Sequence, residues 1–166
     1  MIDSKPIAAC KPIRHSRARN LREDGAYFGK GSCGWFFGFK LHLLRNIDGG
    51  IEGAILTPAN TDDRDPALGL LLLVDGGIVL ADLGYRGKEI AAMLAEEADM
   101  LIITRADAPG NRELISTLRQ RIETTFSQLW NRFIDRVLSR SWLGLWNTIK
   151  LKMLHYNLCH TGILSA

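Results

Sequence analysis

Two short apolar segments in the second half of the chain constrain its fold more than any other feature. Residues 78–81 and 100–104 are each strand-length, and residues 88–98 between them have the composition of a helix. Segments that are apolar on both faces are typical of strands in a parallel sheet covered on both sides. A strand, helix, strand order predicts a parallel pair with a right-handed crossover. The chain is therefore predicted to have an α/β layer architecture.

The first half of the chain predicts a β-hairpin preceded by a long irregular segment. Residues 35–45 are rich in aromatic and branched side chains that partly alternate with polar ones, and residues 51–56 follow a turn at 46–50. This pattern predicts two antiparallel strands. Residues 10–34 are basic, polar and rich in glycine, so we predict an extended basic loop there. An opening strand at residues 1–7 would carry Asp3.

Three further helices complete the predicted order. One is expected at residues 64–74 and another at 113–137, where Ile122, Phe126 and Leu129 fall on one stripe. A last helix, capped by Ser139 or Ser141, is expected over residues 139–160.

Length and composition place these elements in one folded domain. With 166 residues, 46% hydrophobic and 23% charged, the chain suits a single globular domain over residues 1–166. The longest apolar run, residues 67–74, is too short for a membrane span. Three cysteines without a CxxC pair argue against a disulfide framework and favour a reducing cytoplasm.

The charge pattern favours a polyanionic partner. Residues 1–50 carry nine Lys/Arg and four Asp/Glu, a net charge of +5. Residues 51–100 carry three and ten, a net −7, and residues 101–166 carry nine and four, a net +5. Two basic blocks around an acidic one suit a nucleic acid held against a carboxylate-rich site. Solvated faces of opposite sign explain the same pattern, and charge alone leaves both interpretations open.

Three acids stand out as candidates for metal chemistry. Asp3 lies in the opening strand, Asp82 follows the apolar strand at 78–81, and Glu123 lies beside the apolar stripe of a helix. Carboxylate oxygens suit Mg²⁺ or Mn²⁺, and two such ions can activate a hydroxyl and stabilise the leaving oxygen of a phosphodiester. Structural roles stay open: a turn or cap for Asp82, and a surface ion pair between Arg119 and Glu123.

Two other polar groups have both a functional and a structural interpretation. Arg14, Arg17, Arg19 and Arg22 belong to a basic run that suits contacts with DNA phosphates, or a solvated loop. The acids at 62, 63 and 65 suit extra metal ligands, although helix capping after Asn60 explains them better.

At these acids the chain resembles the catalytic domain of the DDE transposases of bacterial insertion sequences. Four stretches match the family, and they lie in the same order along the chain. Three of them each contain one candidate acid. The last stretch has the pattern R-x-x-x-E-x-x-F. The matching stretches are residues 2–7 (I-D-S-K-P-I), 38–42 with 56–64 (G-F-K-L-H and L-T-P-A-N-T-D-D-R), 80–85 (L-A-D-L-G-Y) and 119–126 (R-Q-R-I-E-T-T-F).

The resemblance implies a fold, a reaction and a set of site residues. The implied fold is a ribonuclease H-like αβα sandwich with a five-stranded mixed sheet. Asp3, Asp82 and Glu123 would hold two divalent ions, Mg²⁺ or Mn²⁺, for DNA strand cleavage and strand transfer without a covalent enzyme intermediate. Basic residues that the resemblance adds to those expected to contact DNA are Lys40, Arg119 and Arg132. The implied partners are transposon ends and target DNA, bound by a homodimer in the bacterial cytoplasm at the nucleoid, with no membrane.

The short stretch before Asp3 adds an expectation about the first strand. Only two residues precede Asp3. We therefore expect a truncated first strand, and an upstream DNA-binding region in a longer or frame-split product. Two alternative functions stay open: a non-catalytic DNA-binding remnant of a transposase, and a ribonuclease H-like nuclease that hydrolyses without strand transfer.

Overall fold

A computed structural model describes residues 1–104, 106–107, 109–133 and 139–164 of the chain. The described residues form two compact units. The first comprises Met1–Ser4, His42–Ile55 and Asp62–Phe126, and the second comprises Lys5–Leu41, Leu56–Thr61 and Ser127–Ala166. All three candidate acids belong to the first unit.

The described residues contain six strands and five α-helices. The strands are β1 (Ile2–Cys10), β2 (Tyr27–Gly31), β3 (Gly34–Arg45), β4 (Ile51–Pro58), β5 (Gly77–Leu80) and β6 (Met100–Ile103). The helices are α1 (Arg19–Glu23), α2 (Arg64–Leu71), α3 (Lys88–Ala98), α4 (Arg112–Phe133) and α5 (Trp142–His160). Ser141 caps α5, its hydroxyl accepting a hydrogen bond from the Gly144 amide at 3.2 Å.

The described strands form two sheets, and the expected five-stranded sheet is not seen among them. β3 pairs with β1, β2 and β4 in a four-stranded sheet, while β5 and β6 pair with each other in a parallel sheet. The α/β class and the parallel β5–β6 pair joined by α3 are confirmed. The predicted burial of both faces is wrong, because Ile78 and Leu101 are exposed on one face of the pair. The β1 strand, predicted to be truncated, has nine residues.

The segment predicted as an extended loop at 10–34 has regular structure. It contains a 3-10 helix at Pro12–Arg17, the helix α1 and the strand β2. The strand escaped prediction because Gly29 and Gly31 weaken a strand pattern. Glycine is needed at position 29, since a Cβ there would lie 2.8 Å from the Ala59 Cβ.

The core of the first unit is apolar and includes the residues that directly precede Asp3 and Asp82. The short strands β5 and β6 contribute Val79 and Met100, and the helices α2 and α3 pack against them. The buried residues of this core are Ile2, Leu44, Ala67, Leu70, Leu71, Val79, Ala81, Tyr85, Leu94 and Met100. Asp3 and Asp82 each directly follow one of these residues, so the core fixes their backbone positions.

Gly38 gives a test of the close approach of β1 to β3. A Cβ at Gly38 would collide with the Ile7 carbonyl oxygen and lie 2.7 Å from the Ala9 amide nitrogen. We expect Gly38→Ala to lower the free energy of unfolding by about 1–3 kcal/mol, because the backbone of β1 has to move. Urea denaturation measures the change.

The control is the same substitution within α2. A Cβ at Gly69 meets only Ile55 Cδ1, at an ordinary 3.4 Å. Gly69→Ala is expected to be neutral or stabilising by up to about 1 kcal/mol, because alanine favours the helix. Equal effects of the two substitutions would contradict the close packing at Gly38.

Candidate active site

Three different local structures hold the three candidate acids. Asp3 is the second residue of β1, and its Oδ1 accepts a hydrogen bond from the Ser4 amide at 2.8 Å. Asp82 lies just beyond β5 in extended backbone and caps the 3-10 turn Leu83–Tyr85, accepting from the Leu83 amide at 2.8 Å. Glu123 is exposed on α4, one position after the buried Ile122.

Asp82 and Glu123 each lie within electrostatic range of Asp3. Burial raises the pKa of Asp3 to about 6. The Ser4 amide and the Arg119 guanidinium oppose this rise, whereas the charges of Asp82 and Glu123 add to it. Like charges around a partly buried carboxylate disfavour its ionised form. Asp3 therefore experiences the negative charge of both other candidate acids.

Arg119 connects α4 to the end of β5. Its Nη1 lies 3.2 Å from the Asp82 Oδ1, and its side chain is 15% exposed whereas that of Asp82 is 46% exposed. The surface pair between Arg119 and Glu123 considered from the sequence is thus replaced by a longer-range pair with Asp82. Arg119 lies one helical turn before Glu123, so the two residues share one face of α4.

Tyr85 is a site residue to which the sequence assigned no role. It is 1% exposed, and its hydroxyl makes no hydrogen bond of standard geometry within the described part of the chain. Burial raises its pKa, and the charges of Asp63, Asp3 and Asp82 raise it further. The Ser4 side chain acts in the opposite direction on this pKa. A buried phenol thus lies beside the acids, and its place in the D-x-G-Y stretch is the only sequence signal for it.

One of the acids before α2 contacts the first amide of the helix, as predicted for a capping residue. Asp62 accepts hydrogen bonds from the Arg64 amide at 3.0 Å and from the Arg64 Nε at 2.9 Å. Asp63 occupies the cap position of α2 without a side-chain cap bond. A Cβ added at Gly84 would lie 3.8 Å from the Asp63 Oδ2. Asp63 therefore faces the turn that follows Asp82.

The donor chemistry fits hard divalent cations. Carboxylate oxygens are preferred by Mg²⁺ and Mn²⁺, and a divalent cation would relieve the repulsion that raises the pKa of Asp3. Among the described residues, no group of three or more His, Cys, Asp and Glu side chains is already gathered closely enough to enclose a metal ion. The acids thus match such a cation in chemistry without forming a closed cage.

Apart from Arg119, the residues predicted to bind DNA fall into three groups. Arg14, Arg17, Arg19 and Arg22 are all exposed, on the 3-10 helix Pro12–Arg17 and on α1, in the second unit. Lys40 is only half-exposed and donates a hydrogen bond to the Thr61 carbonyl, so it holds a loop. The side chain of Arg132 lies outside the described residues.

Comparisons with known proteins give one family. The family model described as "Transposase DDE domain" matches residues 1–140. No curated protein and no solved structure matches the chain significantly. No helix in the described ranges is long and apolar enough to cross a membrane.

The raised pKa of Asp3 predicts a pH-dependent stability. The folded state retains the Asp3 proton up to about pH 6, whereas the ordinary pKa of an aspartate is 3.8, so stability falls as pH rises between these values. In EDTA, Asp3→Asn should therefore be more stable than the wild type above pH 6, by up to about 3 kcal/mol, and equally stable below pH 4. Urea denaturation across this pH range measures the difference.

An exposed acid of the same unit provides the control. Asp48 lies on the turn between β3 and β4. Asp48→Asn is expected to give a curve parallel to the wild type. If stability depends on pH in the same way in Asp3→Asn and in the wild type, the raised pKa of Asp3 is contradicted.

Proposed function

The chain belongs to the transposase DDE domain family, and from this premise we propose that it cleaves DNA strands and transfers them in a metal-dependent reaction. One observation carries the proposal: Asp82 and Glu123 both act on the charge of the partly buried Asp3. This electrostatic influence supports a site to which an opening strand, a strand end and a helix each contribute one acid. Family membership supports a transposase-type protein.

Asp3, Asp82 and Glu123 are the proposed metal ligands. We propose two ions, Mg²⁺ or Mn²⁺. When bound, they supply the acidity that activates an attacking hydroxyl and the charge that stabilises the leaving oxygen. The chain contributes fixed oxygen positions: Ser4 orients one Asp3 oxygen through its amide, and Leu83 orients one Asp82 oxygen in the same way.

Arg119 is the proposed phosphate-positioning residue. Its guanidinium lies at the strand end, paired with an Asp82 oxygen. A planar guanidinium offers several donors, so it can keep one contact with a carboxylate and present others to a phosphate. Such a contact would hold the scissile phosphate beside the acids.

The exposed arginines of the second unit supply the proposed electrostatic contact with DNA. Arg14, Arg17, Arg19 and Arg22 project into solvent, and Lys40 is not included because it holds a loop.

We further propose that two copies of the chain act together on two DNA ends, in the cytoplasm at the nucleoid. Arginines bind the DNA backbone whatever its sequence, so recognition of a defined end requires additional contacts.

Nicking of a supercoiled plasmid tests the chemistry. We expect weak, sequence-independent nicking with Mn²⁺ that EDTA abolishes. Loss of a residue that only supports a metal ligand typically reduces activity by roughly 10- to 100-fold. Glu123→Gln removes a proposed ligand itself, so it should reduce nicking by more than this. Glu113→Gln, on the exposed first turn of the same helix, is the matched control and should leave nicking unchanged.

The same assay distinguishes the alternatives. Joining of a labelled oligonucleotide with a free 3′ hydroxyl to the plasmid supports strand transfer, whereas nicking without joining supports a ribonuclease H-like nuclease. Nicking that survives Glu123→Gln contradicts the role of the third acid. A folded chain that binds DNA but never nicks it is a non-catalytic DNA-binding protein.

The salt dependence of DNA binding tests the basic surface. Replacement of Arg14, Arg17, Arg19 and Arg22 by glutamine should flatten the slope of log K against log salt by about 0.9 for each phosphate that the variant no longer neutralises. Fluorescence anisotropy with a labelled duplex measures the slope. Arg64→Gln with Arg86→Gln removes two cations that are paired with acids, and should change it little. An unchanged slope in the fourfold variant would place the DNA elsewhere.

A further inference from the structure

One face of the β2–β3 hairpin carries an exposed aromatic ring beside a lysine. Residues directly opposite in an antiparallel pair point to the same face, and alternate residues of one strand do too. The register places Lys30 opposite Trp35 and Phe28 opposite Phe37, so these four side chains share one face. Lys30 is exposed, and Trp35 is 67% exposed.

The basic 3-10 helix Pro12–Arg17 packs on the inner part of this face. The His15 ring lies 4.9 Å from that of Phe28 and 5.8 Å from that of Phe37, and the two phenylalanine rings lie 5.1 Å apart. These contacts fix the helix on the hairpin. Arg14 and Arg17, on either side of His15 in sequence, are exposed. Cations therefore adjoin the face that presents Trp35.

Packing of the opposite face holds Trp35 in solvent. Phe36 is 8% exposed, and a Cβ at Gly29 would lie 2.8 Å from the Ala59 Cβ. The hairpin cannot turn its Trp35 face inward without exposing these residues. A large aromatic ring that is held in solvent beside a cation offers an uncovered face on which a flat partner can stack.

We propose that this face, Lys30 and Trp35 with Arg14 and Arg17, binds unpaired DNA, with one base stacked on the Trp35 ring. A positive groove that follows the backbone, combined with an aromatic ring for the bases, is typical of single-strand binding. A duplex offers phosphates to the cations, but its bases are already stacked on one another. This inference rests on the proposed function, which assigns DNA binding to this basic surface, and it adds a preference for unpaired nucleotides.

Anisotropy measurements in EDTA, with a labelled single strand and with the duplex of the same sequence, test the proposal. Trp35→Ala should weaken single-strand binding by roughly 5- to 150-fold, the range typical of removing one stacked base. Duplex binding should change less than about twofold, because its affinity comes from phosphate contacts that the substitution leaves in place. Trp35→Phe keeps a ring and should retain an intermediate affinity for the single strand.

Tyr27→Ala is the matched control. Tyr27 is also an exposed aromatic residue of the hairpin, 57% exposed, but it points to the face opposite Trp35. It should leave both affinities unchanged. Circular dichroism checks the fold of every variant, and light scattering measures the oligomeric state.

Three outcomes would overturn the proposal. Base stacking is excluded if Trp35→Ala leaves single-strand binding unaltered, or if it weakens single-strand and duplex binding equally. If Trp35→Ala instead dissociates a dimer and leaves DNA binding intact, the face is a contact between two copies of the chain. Because EDTA removes the metal-dependent chemistry, these outcomes leave the proposed cleavage untouched. A wild type that binds neither DNA would instead contradict the proposed function.

Discussion

The candidate site depends on the electrostatics around one partly buried carboxylate, Asp3. Its position in β1, next to the core residue Ile2, removes it from water. The Ser4 amide and the Arg119 guanidinium compensate only in part, since two more acids act on the same group and its pKa rises to about 6. A folded chain tolerates such a group when cations offset it, and this is the chemical basis for proposing metal ions there.

The position of α4 follows from apolar packing more than from its ion pair. Ile115, Ile122 and Phe126 are buried along one stripe of the helix, and each buried side chain of this kind is worth about 1.5–3 kcal/mol. The pair between Arg119 and Asp82 is partly exposed, and such pairs contribute about 0–1 kcal/mol. The ion pair therefore orients charges at the strand end, while the apolar stripe holds the helix that carries Glu123.

Elements with a strong local pattern were predictable. The helix α3 spans the same residues as predicted, and β3 begins one residue earlier than expected. The hairpin strand β2 was missed because its two glycines carry no local strand signal and are required by contacts with distant residues. Within the 10–34 segment, Leu21 and Ala26 are buried by tertiary contacts, and no periodic pattern in the sequence predicts that burial. The single five-stranded sheet came from the family resemblance, and the described strands pair in two sheets instead.

Local sequence patterns were enough to predict the α/β class and the parallel β5–β6 pair, because burial on one or both faces of an element leaves a periodic trace along it. The role of the three acids stays a prediction. Tertiary structure alone decided the partners across elements. It pairs Arg119 with Asp82 in place of Glu123, assigns the capping contact to Asp62 and not Asp63, and leaves Trp35 in solvent. The physical reason is that periodicity reports only whether a side chain is buried. Which distant group it meets depends on how whole elements pack.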